Sequence, residues 1–190
     1  MKHISELKDI GTGKRCLIVG GGHSVNDYDF DNVPKDVTII CTNQHMSEIA
    51  DIIIYYDKDI MNYWNNHKCS ARHLIGFKNN SLNHCSDNCT HYYAYQDMIF
   101  GDTGFHSLQF ADKIMGFSEI YLIGFDYCVF ENSYHYDELE SDPAKLEKFK
   151  AHSIDQVASM YDKIDWKADI YNMSFYSTLT AFTYSNLTKR

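Results

Sequence analysis

The feature that most constrains the fold is a short β-branched, aliphatic and aromatic run, Glu119-Ile120-Tyr121-Leu122-Ile123-Gly124. Its apolar residues are continuous rather than alternating, which predicts a strand buried on both faces of a parallel sheet. Further predicted strands cover 15–19, 37–41, 52–56 and 168–172, with helices over 58–66, 103–115 and 153–164 between strands. This alternation predicts a three-layer α/β domain with a mostly parallel central sheet.

Composition limits the classes of protein that this chain can be. Its 190 residues, 44% hydrophobic and 23% charged, predict a single domain over residues 1–190. The formal charge of −9 and the lack of a Lys/Arg patch argue against a duplex-DNA footprint, so nucleic acid stays open only as an acceptor. The amino terminus lacks the apolar core of a signal peptide, and no run approaches the roughly 20 apolar residues of a membrane span. We therefore expect a cytoplasmic protein.

Cysteine usage agrees with the expected cytoplasmic location. Cys16, Cys41 and Cys128 lie in or beside predicted strands, where they resemble small buried hydrophobic residues of a reducing compartment. The chain has fifteen Tyr and eleven Phe, more than usual. Exposed aromatic residues can form a subunit interface, so a homo-oligomer is a possible state of the protein.

Three glycines follow the first predicted strand. Gly20, Gly21 and Gly22, with Ser24 beyond them, let the backbone turn tightly and bring several N–H groups toward one point. Such a loop can hold a phosphate without a basic side chain, with the Ser24 hydroxyl as a further donor. The loop matches neither G-x-x-x-x-G-K-[ST] nor a full G-x-G-x-x-G motif. We favour a phosphate or nucleotide contact, and a plain tight turn is the alternative.

Two further segments carry candidate ligand contacts. Asn43 and Gln44 follow the second predicted strand, where amide side chains could bind a nucleobase or sugar, although Asn43 could equally cap the next short helix. Thr103 and Gly104 open a predicted helix whose N-terminus carries a partial positive charge. They are therefore candidate contacts for an anionic ligand.

A loop rich in polar side chains follows the strand over 119–124. Asp126 and Tyr127 come first, and residues 132–137, which include Tyr134 and His135, come next. Ligands of open α/β sheets bind outside the carboxyl ends of the strands, so this loop is a candidate site and an ordinary surface loop is the alternative. His152 stands just before the capping-box pattern that begins at Ser153. A histidine there can act as a general base, or it can be a solvated loop residue.

The segment over residues 67–100 is the most irregular. Its histidines and cysteines, between His67 and His91, have spacings that could bind zinc, but the usual C-x-x-C knuckle is absent. We favour a variable surface insertion with a possible strand over 72–77. A closing helix is predicted over 176–184.

Several of these segments, in order along the chain, carry a family resemblance: 16–24, 41–44, 102–104, 116–126, 133–134 and 152–153. The chain resembles the bacterial lipooligosaccharide sialyltransferases of glycosyltransferase family 42. It also resembles the related motility-accessory and 6-hydroxymethylpterin pyrophosphokinase-like Rossmann proteins. The resemblance implies a Rossmann-like nucleotide-sugar domain, a variant of the glycosyltransferase-A type.

The resemblance also implies roles for the candidate residues. Gly20–Ser24 would face the nucleotide, Asn43 and Gln44 would lie along the donor or its base, and Thr103-Gly104 would contact the donor. Tyr134 would hold the leaving phosphate, and His152 would deprotonate the acceptor hydroxyl, with His135 as a further catalytic candidate.

The reaction implied by the resemblance is a direct displacement at the anomeric carbon with inversion. The donor would be a nucleotide sugar, of which CMP-sialic acid is the best known, and the acceptor a glycan or another hydroxyl compound. No metal or other cofactor is required in the family, because tyrosine hydroxyls neutralise the departing phosphate.

Two positions depart from the family pattern. The glycine loop carries Gly21 and His23 where the family usually has Asn and Pro. Cys128 aligns with a second phosphate-holding tyrosine, a place that Tyr127 or Tyr136 could take.

Two other functional classes remain open from the sequence. An ATP-dependent pyrophosphokinase-like enzyme would use Asp57, Asp102 and Asp126 around Mg²⁺, since two phosphates need a divalent ion. A non-catalytic nucleotide-binding protein is the third class, suggested by the small size of the chain and the missing second tyrosine.

Overall fold

A computed structural model describes residues 1–98, 101–128, 143–144, 147, 159–175 and 177–187. Its strands are β1 Lys2–His3, β2 Arg15–Val19, β3 Thr38–Thr42, β4 Ile52–Ile54, β5 His73–Lys78, β6 Asn83–His84, β7 His91–Tyr93, β8 Glu119–Ile123, β9 Asp169–Asn172 and β10 Thr183–Tyr184. The α-helices are α1 Lys58–Asn66 and α2 Thr103–Phe110, and α2 continues into a π-helical turn, Ala111–Met115. Short 3₁₀ turns cover Ile4–Leu7, His23–Asp27, Phe30–Asn32, Ser47–Ile49 and Tyr95–Asp97.

The strands form one sheet in the order β1-β7-β5-β4-β3-β2-β8-β9-β10, with β6 beside β5. Neighbours along this order are parallel, and β6 pairs with β5 in the antiparallel sense. From β2 the chain builds outward through β3, β4 and β5, and it later returns to place β8 on the other side of β2. The strand order therefore reverses at β2 and β8, where open α/β sheets form a crevice for ligands.

Both faces of the sheet are buried. Successive residues of a strand point to opposite faces, and apolar clusters form on each side. One cluster joins Ile18 of β2 to Phe105 of α2, and the other joins Val19 of β2 to Trp64 of α1. The predicted α/β class with a mostly parallel central sheet is confirmed.

The segment over 67–100 differs from the surface insertion predicted for it. It supplies β5, which lies inside the sheet between β4 and β7, and it also supplies β6 and β7. Its apolar run is short and bounded by His73 and Lys78, and β7 consists of His and Tyr, so neither strand has a strong hydrophobic signal. Pairing with β4 and β7 stabilises β5, and pairing with β5 and β1 stabilises β7. The possible strand predicted over 72–77 agrees with β5.

The closing helix predicted over 176–184 is wrong for the described residues 177–187. Ser177 Oγ donates to the carbonyl of Phe125 at 2.6 Å, and Thr178 Oγ1 donates to that of Tyr127 at 2.9 Å. Hydroxyl side chains of this kind favour loops over helix interiors, because they replace the backbone's own hydrogen bonds. The segment ends in β10, which pairs with β9. The helix predicted over 153–164 lies mostly outside the described residues, although 159–161 are helical.

Candidate active-site cleft

A cleft of about 310 Å³ opens at the carboxyl ends of the strands on both sides of the order reversal. The loops after β2, β3, β4 and β8 and the start of α2 form its walls. The lining residues are Gly20, Gly21, Gly22, Thr42, Asn43, His45, Asp57, Asp102, Thr103, Gly104, Gly124, Phe125, Asp126 and Tyr127. The cleft therefore lies where the strand topology places a ligand crevice.

The Asp126 carboxylate joins the loop after β8 to the loop after β2. It accepts from the Ser24 N–H at 2.7 Å and from the Ser24 hydroxyl at 2.5 Å, and the Ser24 oxygen in turn accepts from the Gly124 N–H at 2.9 Å. Both side chains are buried, at 2% exposure each. Hydrogen bonds to an ionised carboxylate are among the stronger ones in proteins. Ser24 and Asp126 therefore hold the cleft wall together.

The glycine loop lies against the same wall. A Cβ on Gly20 would stand 2.4 Å from the Gly124 carbonyl oxygen, and one on Gly22 would stand 2.5 Å from an Asp126 carboxylate oxygen. The Gly20 and Gly22 N–H groups donate to the carbonyls of Ile123 and Gly124. These N–H groups and that of Ser24 are thus used within the protein, so a phosphate in the cleft needs other donors.

Asp102 connects the start of α2 to two tyrosines. One carboxylate oxygen accepts from the Phe105 N–H at 2.7 Å and the other from the Tyr127 hydroxyl at 2.8 Å. The Tyr127 and Tyr161 hydroxyl oxygens are 2.6 Å apart, and because the single Tyr127 hydroxyl proton is donated to Asp102, Tyr161 donates to Tyr127. Burial raises the pKa of Asp102, although the hydrogen bonds from Phe105, Tyr127 and Gly104 oppose that rise. Burial likewise raises the pKa of Tyr127.

Asn43 offers the cleft an unused acceptor. Its backbone is left-handed, with φ of 58°, and its N–H donates to the Ile54 carbonyl at 2.9 Å. Its side-chain oxygen Oδ1 is buried without a hydrogen-bond partner among the described residues. The next short helix is capped by Met46, so the alternative that Asn43 caps it is wrong. A buried acceptor without a donor is costly, and a ligand N–H or O–H would satisfy it.

The structure brings most of the predicted ligand contacts to one place. Gly20, Gly21, Gly22, Asn43, Thr103, Gly104, Asp126 and Tyr127 all line the cleft, whereas Ser24 and Gln44 lie outside the lining. Tyr134, His135 and His152 lie outside the described residues. Sequence reasoning missed Thr42, His45 and Phe125, and it named Asp57 and Asp102 only as possible magnesium ligands. Each of these residues lies within a few residues of the end of a strand or the start of a helix, and that position is the sequence signal that could have identified them as lining residues.

The magnesium site of the pyrophosphokinase hypothesis gains no support from the described residues. Asp126 is occupied by Ser24, and Asp102 by α2 and Tyr127. Within the described ranges, no group of three or more His, Cys, Asp and Glu side chains is placed to hold a metal ion. The Cys/His-rich segment over 67–91 is included in that search.

Comparison with solved structures identifies the fold. The sialyltransferase CstII, in complex with a trisaccharide acceptor and CMP, superposes with a TM-score of 0.56 at 18% identity, over 92% of this chain and 89% of that one. CstII from Campylobacter jejuni with the substrate analogue CMP-3FNeuAc gives a TM-score of 0.56 at 18% identity, over 90% and 85%. The monofunctional α-2,3-sialyltransferase Cst-I from the same organism gives 0.50 at 14% identity, over 90% and 79%.

The chain has a sialyltransferase-like fold. No family model matches the sequence, and neither does any curated protein. The sialyltransferase-like fold thus rests on three-dimensional similarity over nearly the whole chain. No helix among the described residues has the length and apolar character needed to cross a membrane.

The raised pKa of Asp102 predicts a pH-dependent stability. Because the folded-state pKa lies above the unfolded value of about 3.9, the stability contributed by the protonated form is fully present below that value and is lost as pH rises through the folded pKa. Asp102→Asn keeps the cap on Phe105 but cannot ionise. The free energy of unfolding of the wild type, relative to this variant, should fall as the pH rises from about 4 through the folded-state pKa in urea titrations.

The control for this measurement is Asp162→Asn, which changes an exposed aspartate next to Tyr161. It should leave the pH dependence of the wild type in place. A difference between the wild type and Asp102→Asn that stays constant over the same pH range would contradict the assignment.

Proposed function

We propose that this protein is a glycosyltransferase that moves a sugar from a nucleotide donor to a hydroxyl acceptor, in the manner of the sialyltransferases. The observation that carries the proposal is the cleft at the order reversal, which presents the unused Asn43 oxygen and the start of α2. It is supported by a fold shared with enzymes solved with CMP and with CMP-3FNeuAc.

The nucleotide base is assigned to the loop after β3. Asn43 Oδ1 can accept from an exocyclic amino group or a ring N–H of a base, and Thr42 lies beside it in the lining. Neither interaction needs a charged side chain. This loop therefore selects the base through hydrogen-bond pattern.

The donor phosphate is assigned to the start of α2. The Gly104 and Phe105 N–H groups already donate to Asp102. Thr103 therefore offers its N–H and hydroxyl as the donors for a phosphate at this helix start. The helix dipole favours an anion there. Because burial favours the protonated form of Asp102, a neighbouring phosphate meets less negative charge than three aspartates in the lining suggest.

The chemical step is assigned to residues that the family resemblance picks out. His152 takes the proton of the acceptor hydroxyl, whose oxygen attacks the anomeric carbon as the nucleotide phosphate leaves, and Tyr134 donates to that phosphate, with His135 beside it. These residues lie outside the described ranges, so their roles rest on the resemblance. Tyr127 is a poorer second tyrosine, since its hydroxyl proton is already committed to Asp102. No metal is assigned to the reaction.

A groove beside the cleft suits a glycan acceptor. It has a volume of about 550 Å³ and lies at the carboxyl ends of β5 and β7, on the edge of the sheet that also holds the cleft. Its lining is Lys78, Asn79, Asn80, Ser81, Tyr92, Ala94, Tyr95 and Gln96. The Tyr56 and Tyr95 hydroxyls are 3.5 Å apart, and Tyr56 precedes Asp57 of the cleft. Aromatic rings and amides are the groups that bind the apolar faces and hydroxyls of sugars.

Nucleotide binding is the first test of the proposal. Thermal unfolding with CMP, CDP, UDP, GDP, ADP or ATP, each with and without Mg²⁺, should show one metal-independent stabilisation, of roughly 2.7 kcal/mol at 100 times the dissociation constant. Asn43→Gly suits the left-handed backbone and removes the buried acceptor. It should weaken binding about tenfold, the loss of one hydrogen bond of about 1.4 kcal/mol.

The matched control is Asn62→Ala on an exposed position of α1, which should leave nucleotide binding unchanged. A shift that requires both ATP and Mg²⁺ would replace the proposal with the pyrophosphokinase-like alternative. Stabilisation without any turnover of the cognate nucleotide sugar would indicate a non-catalytic nucleotide-binding protein. No shift with any nucleotide would contradict the site.

The base assignment is tested by His152→Ala. The rate of sugar transfer from the donor class found by binding should fall by about 10²–10⁴, because general-base catalysis contributes that much. The stabilisation by nucleotide should persist, since the histidine acts on the acceptor. His67→Ala, a change at an exposed histidine, serves as the control, and unchanged transfer by the His152 variant would refute the assignment.

The acceptor groove is tested by Tyr95→Ala. The ring is 51% exposed, so its removal should raise the acceptor KM severalfold with little loss of stability, and Tyr95→Phe should retain most of the affinity. Tyr184→Ala removes a comparably exposed ring on the opposite edge strand, at 47% exposure, and should change nothing. An acceptor KM that does not distinguish the Tyr95 and Tyr184 variants would rule the groove out.

A further inference from the structure

A cluster of thiols and hydroxyls outside the cleft plays no part in the proposed transfer. It consists of Tyr55, which follows β4, and Cys85, Ser86 and Cys89, which lie between β6 and β7. The Tyr55 hydroxyl is 3.0 Å from Cys89 Sγ, and the Ser86 hydroxyl is 3.6 Å from the same sulfur. The Cys85 thiol donates to the Phe77 carbonyl at 3.6 Å, and Cys89 Sγ lies 3.0 Å from the place of a Cβ on Gly76, so both sulfurs lie against adjacent residues of β5. Both cysteines are free thiols.

The local backbone brings these groups together. The Cys89 N–H donates to the Ser86 carbonyl at 3.0 Å, which closes a tight turn between the two cysteines. Gly76 of β5 leaves room beneath the turn, because a Cβ there would stand 2.8 Å from the Tyr55 hydroxyl and 3.0 Å from Cys89 Sγ. The strand, the turn and the missing side chain therefore place two thiols and a phenol in one contact group.

The Tyr55 hydroxyl donates its hydrogen bond to Cys89 Sγ. The Ser86 N–H donates to the Tyr55 hydroxyl oxygen at 2.8 Å, so the Tyr55 O–H proton is directed at Cys89 Sγ. The Cys89 sulfur thus receives a hydrogen bond from Tyr55, and the Ser86 hydroxyl also lies within hydrogen-bonding distance of it. Hydrogen bonds donated to a sulfur favour its thiolate form, as in other reactive cysteines.

The titratable groups around Cys89 agree with this direction. The nearby Cys85 thiol, followed by the groups of Tyr55 and Ser86, lowers the pKa of Cys89 against the opposing effect of burial. The pKa of Cys85 is raised by the nearby Cys89 and by burial, with Lys78 opposing. Cys69 also lies close enough for the Cys89 charge to raise its pKa, although burial is the larger cause there.

We propose that Cys85 and Cys89 form a dithiol site that peroxides oxidise to a disulfide, with Cys89 as the attacking sulfur and Tyr55 as its positioning residue. The Cys89 thiol gives its proton to solvent, and the thiolate attacks one peroxide oxygen, so that the O–O bond breaks and Cys89 becomes a sulfenic acid. The departing hydroxide takes up a proton from solvent and leaves as water. The Cys85 sulfur then attacks Cys89 and releases a second water. One hydrogen peroxide and two thiols give one disulfide and two waters, so atoms and electrons balance.

Access to the site suits a small oxidant. Cys89 is 9% exposed, while Cys85 is partly exposed. Hydrogen peroxide is the size of a few atoms, whereas a bulky disulfide such as glutathione disulfide would meet the covering side chains. The site is therefore assigned to peroxides.

The experiment uses the full chain in its reduced form. Substoichiometric hydrogen peroxide is added, the remaining thiols are alkylated, and the peptides are mapped by mass spectrometry. The wild type should lose two hydrogens and link 85 to 89. Cys85→Ser should accumulate a sulfenic acid on Cys89 that dimedone traps, Cys89→Ser should form neither product, and Cys69→Ser should behave as the wild type.

The role of Tyr55 is read from the rate of Cys89 alkylation against pH. The wild-type midpoint should lie below the ordinary thiol value of about 8.5, and Tyr55→Phe should move it upward by removing the donor. Ser86→Ala, a smaller change outside the strand, serves as a second variant in case Tyr55→Phe lowers the folded fraction. It should also move the midpoint of Cys89 alkylation upward. Faster oxidation of Cys69 or Cys128 than of Cys89, or no 85–89 link, would overturn the proposal. Unchanged midpoints in both variants would overturn it as well.

Discussion

The cleft depends on a single buried carboxylate. Asp126 accepts two hydrogen bonds from Ser24, 102 residues earlier in the chain, and so fixes the loop after β2 against the loop after β8. An ion buried without such donors would be costly, and the two bonds from one residue satisfy both of its oxygens. Gly20 and Gly22 let the two backbones approach closely enough for this contact to form. Every other lining residue is positioned relative to this junction of β2 and β8.

The arrangement of charge makes an acidic cleft compatible with the proposed nucleotide donor. Asp126 faces the donors of Ser24, and Asp102 faces two helix N–H groups and the Tyr127 hydroxyl. In each case donors of the protein itself form hydrogen bonds to the carboxyl group, and burial of Asp102 further favours its neutral form. The glycine loop, by contrast, uses the N–H groups of Gly20, Gly22 and Ser24 for hydrogen bonds within the protein. The likeness to phosphate-binding loops is thus one of shape, and under the proposed function the phosphate would be held at the start of α2 instead.

Much of the sheet could be predicted because its central strands are short continuous apolar runs. The bounds of β2, α1 and β8 follow from the sequence alone, as does the switch from strand to ligand loop after each of them. β5 agrees with the possible strand predicted over 72–77, but its place inside the sheet was missed, and β7 was missed altogether because it consists of His and Tyr. The Ser24–Asp126 contact could not be predicted, because no local pattern indicates which distant carboxylate a serine will meet. The same holds for the Tyr55–Cys89 contact, where both residues are ordinary in their own segments.

The order of the chain has a consequence for how the molecule is made. β2 to β5 and β7 precede residue 98, but β8, the start of α2 and Asp126 all follow it. A nascent chain that has emerged only as far as β7 therefore holds most of one side of the sheet while half of the cleft wall is still unsynthesised. Contacts of such long sequence separation form late and slowly. The complete cleft consequently exists only once the second half of the chain has closed onto the first, so binding of the proposed nucleotide donor would report on complete folding.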